Sequence, residues 1–449
     1  MINSEYILFG GVLALILIDL LRLHLKINDR KIIHFITLAI LIAAFIAEII
    51  FGDMNITFFS ATQYSQFVNG FILFLAVMIY AFLMSDSKDH SAFIDFLFLL
   101  ATLGAMLVVL SSNFISLIIA IEMISISSYG LVFFQKNSRR MEGAMKYVSL
   151  SFISVVIMIF GVSLVYGGSG TLSFTQLASI DYVPFIAGVG LVMVGLAFKS
   201  TIVPFHMWAP DVYEASNSVV TAFLSSISKA VGLVAMIRVF FFAFPVSSPF
   251  VSLMFIILAV STIFFASFLA TVQDKIKRLL AYSSIAQAGF AFIAIGLLNY
   301  LGIQAAIFYI FTFAIADALV FLAYKIFEDH KIIYKKDASK MFSVSKIATV
   351  GFFIGVLSLA GLPPTIGFFG KLAIFVALLS QGYVYLVIAL FAIILFSTFY
   401  YFGLLRETDL TDAIAMQKPS PKNTSLRTQE AIIIILTAAL FVGVLFVNF

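Results

Sequence analysis

Apolar residues recur along this chain in runs of about twenty, and short polar segments separate the runs. A helix of about twenty residues can cross the hydrocarbon core of a bilayer, which is about 30 Å thick. The pattern therefore predicts an all-α polytopic membrane protein with about fourteen transmembrane helices. The approximate spans are 5–22, 32–51, 67–84, 91–110, 112–134, 144–166, 184–206, 218–244, 250–270, 277–298, 303–327, 346–380, 384–406 and 429–447.

Two of these spans contain prolines that interrupt helical hydrogen bonding. The run 346–380 is too long for one straight crossing, and Pro363-Pro364 removes two N–H donors, so we expect one broken helix there. Lys199 lies five residues before Pro204, which predicts a second break at the end of the seventh span. Broken helices at corresponding positions of two halves are typical of transport sites.

The two breaks lie five spans apart, and an odd offset reverses the direction of the chain across the membrane. This spacing predicts two inverted repeats of five helices, spans 4–8 and spans 9–13. The predicted organisation is an N-terminal three-helix segment at 1–90, a first repeat at 91–245, a second inverted repeat at 250–406, and a cytoplasmic loop with the last helix at 407–449.

The basic residues provide an independent test of the spans, because Lys and Arg collect in cytoplasmic loops. With the N-terminus placed outside, 22 of the 26 basic residues lie in the cytoplasmic loops and none in the outer loops. The distribution predicts a multi-pass protein of the bacterial inner (cytoplasmic) membrane with both termini outside. The first apolar run lacks a basic stretch before it and a small-residue cleavage site after it, so we interpret it as a span rather than a cleavable signal.

The composition excludes soluble and redox-active classes. The chain is 63% apolar and 11% charged, whereas about a quarter of the residues are charged in soluble domains. It has no cysteine to ligate an iron–sulfur cluster, and its five histidines lie in predicted loops or at span ends. We therefore expect no cofactor or metal in this chain, and we assign its net charge of +4 to the loops rather than to a nucleic-acid-binding surface.

Ionisable residues at mid-span depth are the candidate functional groups, because a charge at the bilayer centre costs about 2.5–3.5 kcal/mol on insertion scales. The candidates are Glu122, Lys199, Lys229, Asp317 and Lys371. A single such pair could be a static ion pair that fixes helix register. Three lysines and two carboxylates, with two of the lysines beside helix breaks, favour a proton relay in which the carboxylates modulate the protonation of the lysines.

Other charged residues near span ends give a weaker signal. Arg238 lies near the outer end of the eighth span and is a further relay candidate, although snorkelling of its side chain toward the membrane surface is the simpler interpretation. Asp19, Glu48 and Asp95 also lie near span ends, and we interpret them as interfacial.

Three segments have distinctive sequences. They are KSTIVPFHMWAPDVY at 199–213 with Ser228-Lys229 after it, KRLLAYSSI at 277–285, and LSLAGLPP at 357–364 with Gly370-Lys371 after it. These segments resemble the antiporter-like subunits of bacterial NADH:quinone oxidoreductase (respiratory complex I), and subunit N most closely. The likeness runs from about residue 90 to residue 405, and the first three spans match in hydropathy only.

The resemblance implies a proton-translocating membrane subunit of a translocase that couples quinone reduction to proton pumping. NADH, FMN, iron–sulfur clusters and quinone would be bound by other subunits. The partners would be the other membrane-arm subunits, including neighbouring antiporter-like subunits, and the lipid bilayer. By the same resemblance, Glu122 and Lys199 form a carboxylate–lysine switch, Lys229 is the central relay, and Lys371 is the terminal lysine toward the outer exit.

Two residues depart from the pattern of this family. Gln287 stands where a histidine is common, and Asp317 stands where an amide or a small residue is usual. The extra carboxylate could substitute for part of the relay or compensate a local charge, and both interpretations remain open at this point.

Related assemblies share this fold and these lysines. The alternative function is therefore a subunit of a multi-subunit cation/proton antiporter or of a membrane-bound hydrogenase. The large subunit L is expected to have a lateral helix after its last span. This sequence predicts no such helix, which argues against subunit L. A passive scaffold would not need aligned ionisable groups, and a solute carrier would need more mid-span Asn, Gln and Ser than this chain has.

Overall fold

The computed structural model is helical in nearly all of the residues that it describes. Those residues are 3–24, 31–51, 63–86, 91–133, 138–177, 183–243, 249–407 and 424–446. Within these ranges the β pairings are two isolated bridges, one between Asn113 and Ser173 and one between Lys275 and Tyr334. The prediction of an all-α polytopic protein is confirmed.

Each predicted span contains a helix in the described part of the chain. The helices are α1 Ser4–His24, α2 Lys31–Phe51, α3 Gln63–Asp86, α4 Ala92–Leu110, α5 Phe114–Phe133, α6 Ser138–Ser169, α7 Val183–Lys199, α8 Trp208–Ala215, α9 Ser218–Phe223, α10 Lys229–Ile237, α11 Pro249–Thr271, α12 Ile276–Ile295, α13 Tyr300–Asp329, α14 Met341–Val344, α15 Lys346–Ala360, α16 Ile366–Ser380, α17 Val384–Arg406 and α18 Thr424–Val442. Two π-helical turns, Leu224–Ser228 and Arg238–Ala243, extend the eighth span before and after α10.

Eleven helical segments in the described ranges are long and apolar enough to cross a membrane. Three shorter apolar helices, α7, α15 and α16, accompany them, and α15 and α16 are the two halves of the predicted twelfth span. The first helix, α1, does not belong to either group. The chain is therefore a multi-pass membrane protein, whereas the count of fourteen crossings stays a prediction.

The chain divides into two compact units. The first contains Met1–Leu196 and Val234–Pro245, and the second contains Ala197–Leu233 and Val246–Phe449. The division reflects compactness rather than sequence repetition, so the boundaries expected for the two inverted repeats remain predictions.

Small residues bring two helices of the first unit into close contact. A Cβ atom added to Gly161 of α6 would lie 2.7 Å from the carbonyl oxygen of Gly188 in α7, and one added to Gly188 would lie 2.6 Å from that of Gly161. Transmembrane helices associate through such close backbone approach, because lipid gives little hydrophobic drive for pairing. A larger side chain at either position would push the two helices apart.

Helices α12 and α13 form the buried centre of the second unit. In their most apolar stretches, 94% of the residues of α12 and 89% of those of α13 are buried, compared with 22% for α17. A polar side chain in a membrane protein is far less costly when it faces protein than when it faces lipid. Polar side chains on α12 and α13 can therefore face protein, whereas most polar side chains on α17 would be exposed and costly.

Both predicted helix breaks are present. Helix α7 ends at Lys199, seven residues before the predicted end of the seventh span, and Thr201 has a φ of 60°. Lys199 is thus the last helical residue rather than a residue inside the span, because a helix cannot continue regularly toward a proline. Helix α15 ends at Ala360, and Gly361 adopts the left-handed conformation with a φ of 80° that glycine accepts without a Cβ penalty.

Candidate proton-transfer site

Lys229 is buried where the eighth span changes its helical hydrogen bonding. The π-helical turn Leu224–Ser228 immediately precedes it, and such turns are frequent at functional sites. Lys229 is 1% exposed. Its Nζ donates a hydrogen bond to Oγ of Ser284 and lies 5.6 Å from the ring centre of Tyr213. The ammonium group is therefore held by protein groups and has no exposure to lipid.

Ser284, on α12, connects Lys229 to Asp317, on α13. The Ser284 hydroxyl donates a hydrogen bond to Oδ2 of Asp317, and no direct ion pair joins Lys229 to Asp317. Asp317 is 1% exposed, and its other oxygen, Oδ1, accepts no hydrogen bond from the described residues. The sequence identified the lysine and the carboxylate as candidates, and Ser284 lies in the distinctive segment KRLLAYSSI, but the sequence did not indicate that its hydroxyl connects them.

Lys371 lies beside the break between α15 and α16. Its Nζ donates to the carbonyl oxygens of Leu359 at 2.7 Å and Ala360 at 3.0 Å, the last residues of α15. It also lies 5.0 Å from the ring centre of Phe290. The break thus exposes helix-end carbonyls, which carry partial negative charge, to a buried ammonium group.

One face of α12 contacts both lysines. Ser284, Gln287 and Phe290 follow one another at intervals of three residues, so their side chains lie on neighbouring turns. Gln287 donates to the hydroxyl of Tyr401 at 3.1 Å and accepts a hydrogen bond from Tyr309. Along this face, a neutral amide–phenol cluster therefore lies between the contacts to Lys229 and to Lys371.

Lys199 is buried at the end of α7, with 4% of its surface exposed. A Cβ atom added to Gly232 would lie 3.2 Å from Cγ of Lys199 and 2.8 Å from Oγ of Ser200. The absence of a side chain at Gly232 therefore allows α10 to approach the first helix break closely.

The remaining predicted site residues, Glu122 and Arg238, belong to the first unit. Glu122 lies in the middle of α5 and is partly buried. Arg238 begins the second π-helical turn and is 6% exposed, so its side chain is enclosed by protein instead of snorkelling to the surface. Glu122 and Lys199 fall in different units, and their pairing stays a prediction.

A protein-family model matches the region that contains these residues. The family is described as NADH:quinone oxidoreductase/Mrp antiporter, TM, and the match covers residues 111–397, more than half of the chain. The chain belongs to this family. The matched region includes Glu122, Lys199, Lys229, Asp317 and Lys371.

Relatives of this family are similar over most of their length. The chain is 34% identical over 405 residues to F(420)H(2) dehydrogenase subunit N of Methanosarcina mazei, covering 82% of this chain and 81% of the relative. It is 30% identical over 435 residues to NADH-quinone oxidoreductase subunit N of Bartonella bacilliformis, covering 92% and 88%. A chain in the structure of respiratory complex I from Thermus thermophilus with bound aureothin superposes with a TM-score of 0.81 at 25% identity, covering 98% of this chain and 97% of that one.

A partly buried ion pair lies where α12 begins and α13 ends. Nζ of Lys277 donates to Oε1 of Glu328 at 2.9 Å and to the carbonyl oxygen of Ser216. The Ser218 hydroxyl donates to Oε2 of Glu328 at 2.6 Å. Lys277 is 4% exposed, so its ammonium group is buried at the start of α12.

A second, more exposed network joins α8 to the start of α12. Arg278 donates to Asp211 at 2.9 Å and to Glu214 at 3.0 Å, and Lys275 donates to Glu214 at 2.5 Å. Burial raises the pKa of Glu214, but the hydrogen bonds and positive charges of Lys275 and Arg278 outweigh it, so the pKa lies below the ordinary glutamate value.

The first unit contains a polar cluster that the sequence did not indicate. His34 Nδ1 lies 2.7 Å from Oδ2 of Asp95, and the hydroxyl of Tyr80 donates to Oδ1 of Asp95 at 2.7 Å. Asp95 is fully buried and Glu48 is 1% exposed, so protein encloses both side chains, and their interfacial depth stays a prediction. His34 and Asp95 are 61 residues apart, and no local pattern in a single sequence reveals such a pair.

Proposed function

We propose that this chain is the N-type antiporter-like subunit of a respiratory NADH:quinone oxidoreductase and translocates protons across the membrane. The observation that supports this function best is the buried connection from Lys229 through Ser284 to Asp317, within the helices matched by the family model. Ionisable groups within a membrane span are costly, so their presence there indicates a functional site. The identity of 34% and 30% to two subunits N over most of their length supports the same function.

Lysine is suited to this role because its ammonium group can release and regain a proton, whereas arginine stays protonated. We assign proton uptake to a switch between Glu122 and Lys199, central transfer to Lys229, and release toward the outer side to Lys371. Arg238 is a further candidate for this path. Substitution of each residue in the assembled complex, with electron transfer and proton movement measured separately, tests the assignment.

The redox groups belong to other subunits in this proposal. The chain has no cysteine, and its function requires only that it bind protons and contact neighbouring membrane-arm subunits. We expect the purified chain to bind no haem, flavin or iron–sulfur cluster. A visible absorption band present in stoichiometric amount in the isolated subunit would contradict this expectation.

The charge distribution supports insertion in the inner membrane with both termini outside. Residues 447–449 lie outside the described residues, so labelling is better directed at described loops. Cysteines introduced at the exposed positions Lys336 and Gln381 should react with an impermeant thiol reagent from opposite sides of the membrane. The natural chain has no cysteine, so every labelled thiol reports an introduced position.

Purification through a tag on this chain tests the proposed assembly. We expect electron-input subunits to co-purify, and vesicles containing the complex to acidify when a donor is oxidised. NADH and reduced F420 should be compared as donors, since relatives are named for each. Failure of both donors to drive proton movement in an intact complex would contradict the proposal.

A subunit of a multi-subunit cation/proton antiporter is the second candidate, because the family description includes the Mrp antiporters. That function predicts proton movement driven by a sodium gradient without an electron donor. Sodium-driven exchange in vesicles that lack any electron donor, at a rate matching donor-driven pumping, would favour the antiporter.

A further inference from the structure

Ser284 contacts both Lys229 and Asp317, and it is the only residue in the described ranges through which hydrogen bonds connect them. We propose that the Ser284 hydroxyl transfers a proton from Lys229 to Asp317, so that the three residues act as one proton-carrying unit. This inference rests on the proposed function of proton translocation, and it adds a specific path for the central step.

The hydrogen bonds have the polarity that such a transfer requires. The Lys229 ammonium group donates to Oγ of Ser284, and the Ser284 hydroxyl donates to Oδ2 of Asp317. In the transfer, Oγ accepts a proton from Nζ while its own proton moves to Oδ2. One N–H bond and one O–H bond break, and two new O–H bonds form. The products are a neutral amine, an unchanged hydroxyl and a carboxylic acid.

The electrostatics of the pair favour a reversible transfer. A buried ammonium and a buried carboxylate each carry a desolvation cost that their mutual attraction offsets only in part. The transfer converts this charge pair into two neutral groups without changing the net charge of the site. The two states can therefore be close in free energy, as a relay requires.

Asp317 also has a free position for onward transfer. Its Oδ1 atom is buried and accepts no hydrogen bond from the described residues, while Oδ2 is occupied by Ser284. A proton received on Oδ2 can leave after the carboxyl group rotates and brings the proton to the position that Oδ1 now occupies. Lys371, in contrast, donates to backbone carbonyls, which cannot take up a proton.

Ser283→Ala is a matched control for Ser284→Ala. Both serines are fully buried neighbours on α12, but Ser283 forms its hydrogen bond with the hydroxyl of Tyr401 rather than with Lys229 or Asp317. Each substitution removes one buried hydroxyl, and Ser284→Ala removes two hydrogen bonds whereas Ser283→Ala removes one. A structural effect of hydroxyl loss should therefore be similar in the two variants.

The test compares donor-driven proton pumping per electron in vesicles that contain the whole complex, with assembly confirmed by co-purification. We expect Ser284→Ala to reduce pumping by this subunit about tenfold or more, as for other losses of a proton-transfer group. We expect Ser283→Ala to stay within about twofold of the natural protein, since it removes no group of the relay. Wild-type pumping in an assembled Ser284→Ala complex would overturn the inference, and so would equal losses in both variants.

Infrared difference spectroscopy during turnover provides a test that does not depend on Ser284→Ala assembling. Protonation of Asp317 should produce a carboxylic acid C=O band that Asp317→Asn removes. The absence of any band assignable to Asp317 in a pumping complex would overturn the inference. A natural complex that moves no protons would instead contradict the proposed function, so the two failures are distinguishable.

Discussion

Lys229 and Lys371 are buried lysines of the same unit, but their ammonium groups have different kinds of partner. Lys229 is 1% exposed, and its hydrogen bond leads through Ser284 to the carboxylate of Asp317. Lys371 is 4% exposed, donates to two backbone carbonyls, and has no carboxylate partner among the described residues. The first lysine thus faces a group that can accept a proton, and the second faces fixed dipoles.

This difference indicates how each lysine can lose its charge. Lys229 can become neutral by an internal transfer that leaves the net charge of its site unchanged. The carbonyls around Lys371 interact favourably with its ammonium group, as helix C-terminal ends do with cations, but they cannot accept its proton. Lys371 can therefore become neutral only by releasing a proton to a group beyond its present contacts, which suits a terminal position.

Replacement of Lys229 should have the largest effect on function. A relay requires the residue to lose and regain a proton, and arginine stays protonated, so we expect Lys229→Ala and Lys229→Arg each to reduce donor-driven pumping about tenfold or more. The exposed Lys336 provides the control, and Lys336→Ala should pump normally. Recovery of pumping in Lys229→Arg would instead favour a static ion pair.

Stability measurements should separate the two lysines further. Lys229→Met removes the cation that Ser284 connects to Asp317, and leaving a buried carboxylate without a compensating charge costs about 3–5 kcal/mol. Lys371→Met leaves only backbone carbonyls without a donor, which costs about 1–3 kcal/mol. Thermal unfolding of the complex should give this order, and Lys229→Met with Asp317→Asn should recover part of the loss. Equal losses, with no recovery in the double variant, would show that the carboxylate does not distinguish the sites.

Two glycines with the same backbone conformation can test how the break holds Lys371. Gly361 and Gly382 both have a φ of 80°, so alanine at either should cost about 1–2 kcal/mol. The new Cβ would lie 2.7 Å from Cδ of Lys371 at Gly361, whereas no atom lies within 4 Å of it at Gly382. We expect both variants to lower the unfolding temperature and only Gly361→Ala to lower pumping. If Gly382→Ala impairs pumping equally, backbone strain rather than displacement of Lys371 is the cause.

Substitution of the partly exposed Glu214 should have the smallest effect on the free energy of unfolding. Glu214→Gln should cost less than about 1 kcal/mol at neutral pH, because exposed ion pairs are weak. The partners Lys275 and Arg278 lower the pKa of Glu214 despite its burial, so its stabilising contribution is present above the ordinary value of 4.5 and is lost as the pH falls through the lowered pKa. The difference in unfolding temperature between the two proteins should therefore shrink in acid. A difference that grows with acidification would contradict this sign.

The apolar runs determined the helical elements, because a membrane span depends mainly on the length and composition of a continuous segment. The predicted spans 32–51, 91–110 and 384–406 agree with α2, α4 and α17 to within a residue. The broken twelfth span followed from Pro363-Pro364, which cannot donate backbone hydrogen bonds. The depth of Lys229, Asp317 and Lys371 followed from position within these runs, since a span fixes how far each residue lies from its ends.

The tertiary structure alone decided which groups contact these residues. Ser284 is 55 residues from Lys229 and 33 from Asp317, and its contact with both depends on how α12 and α13 pack. The carbonyls bound by Lys371 depend on where α15 stops, and the buried pair of His34 and Asp95 joins two helices that no sequence periodicity relates. Hydropathy specifies how much of a segment is apolar, whereas a hydrogen bond depends on the rotation and separation of particular helices, and packing between distant segments sets both.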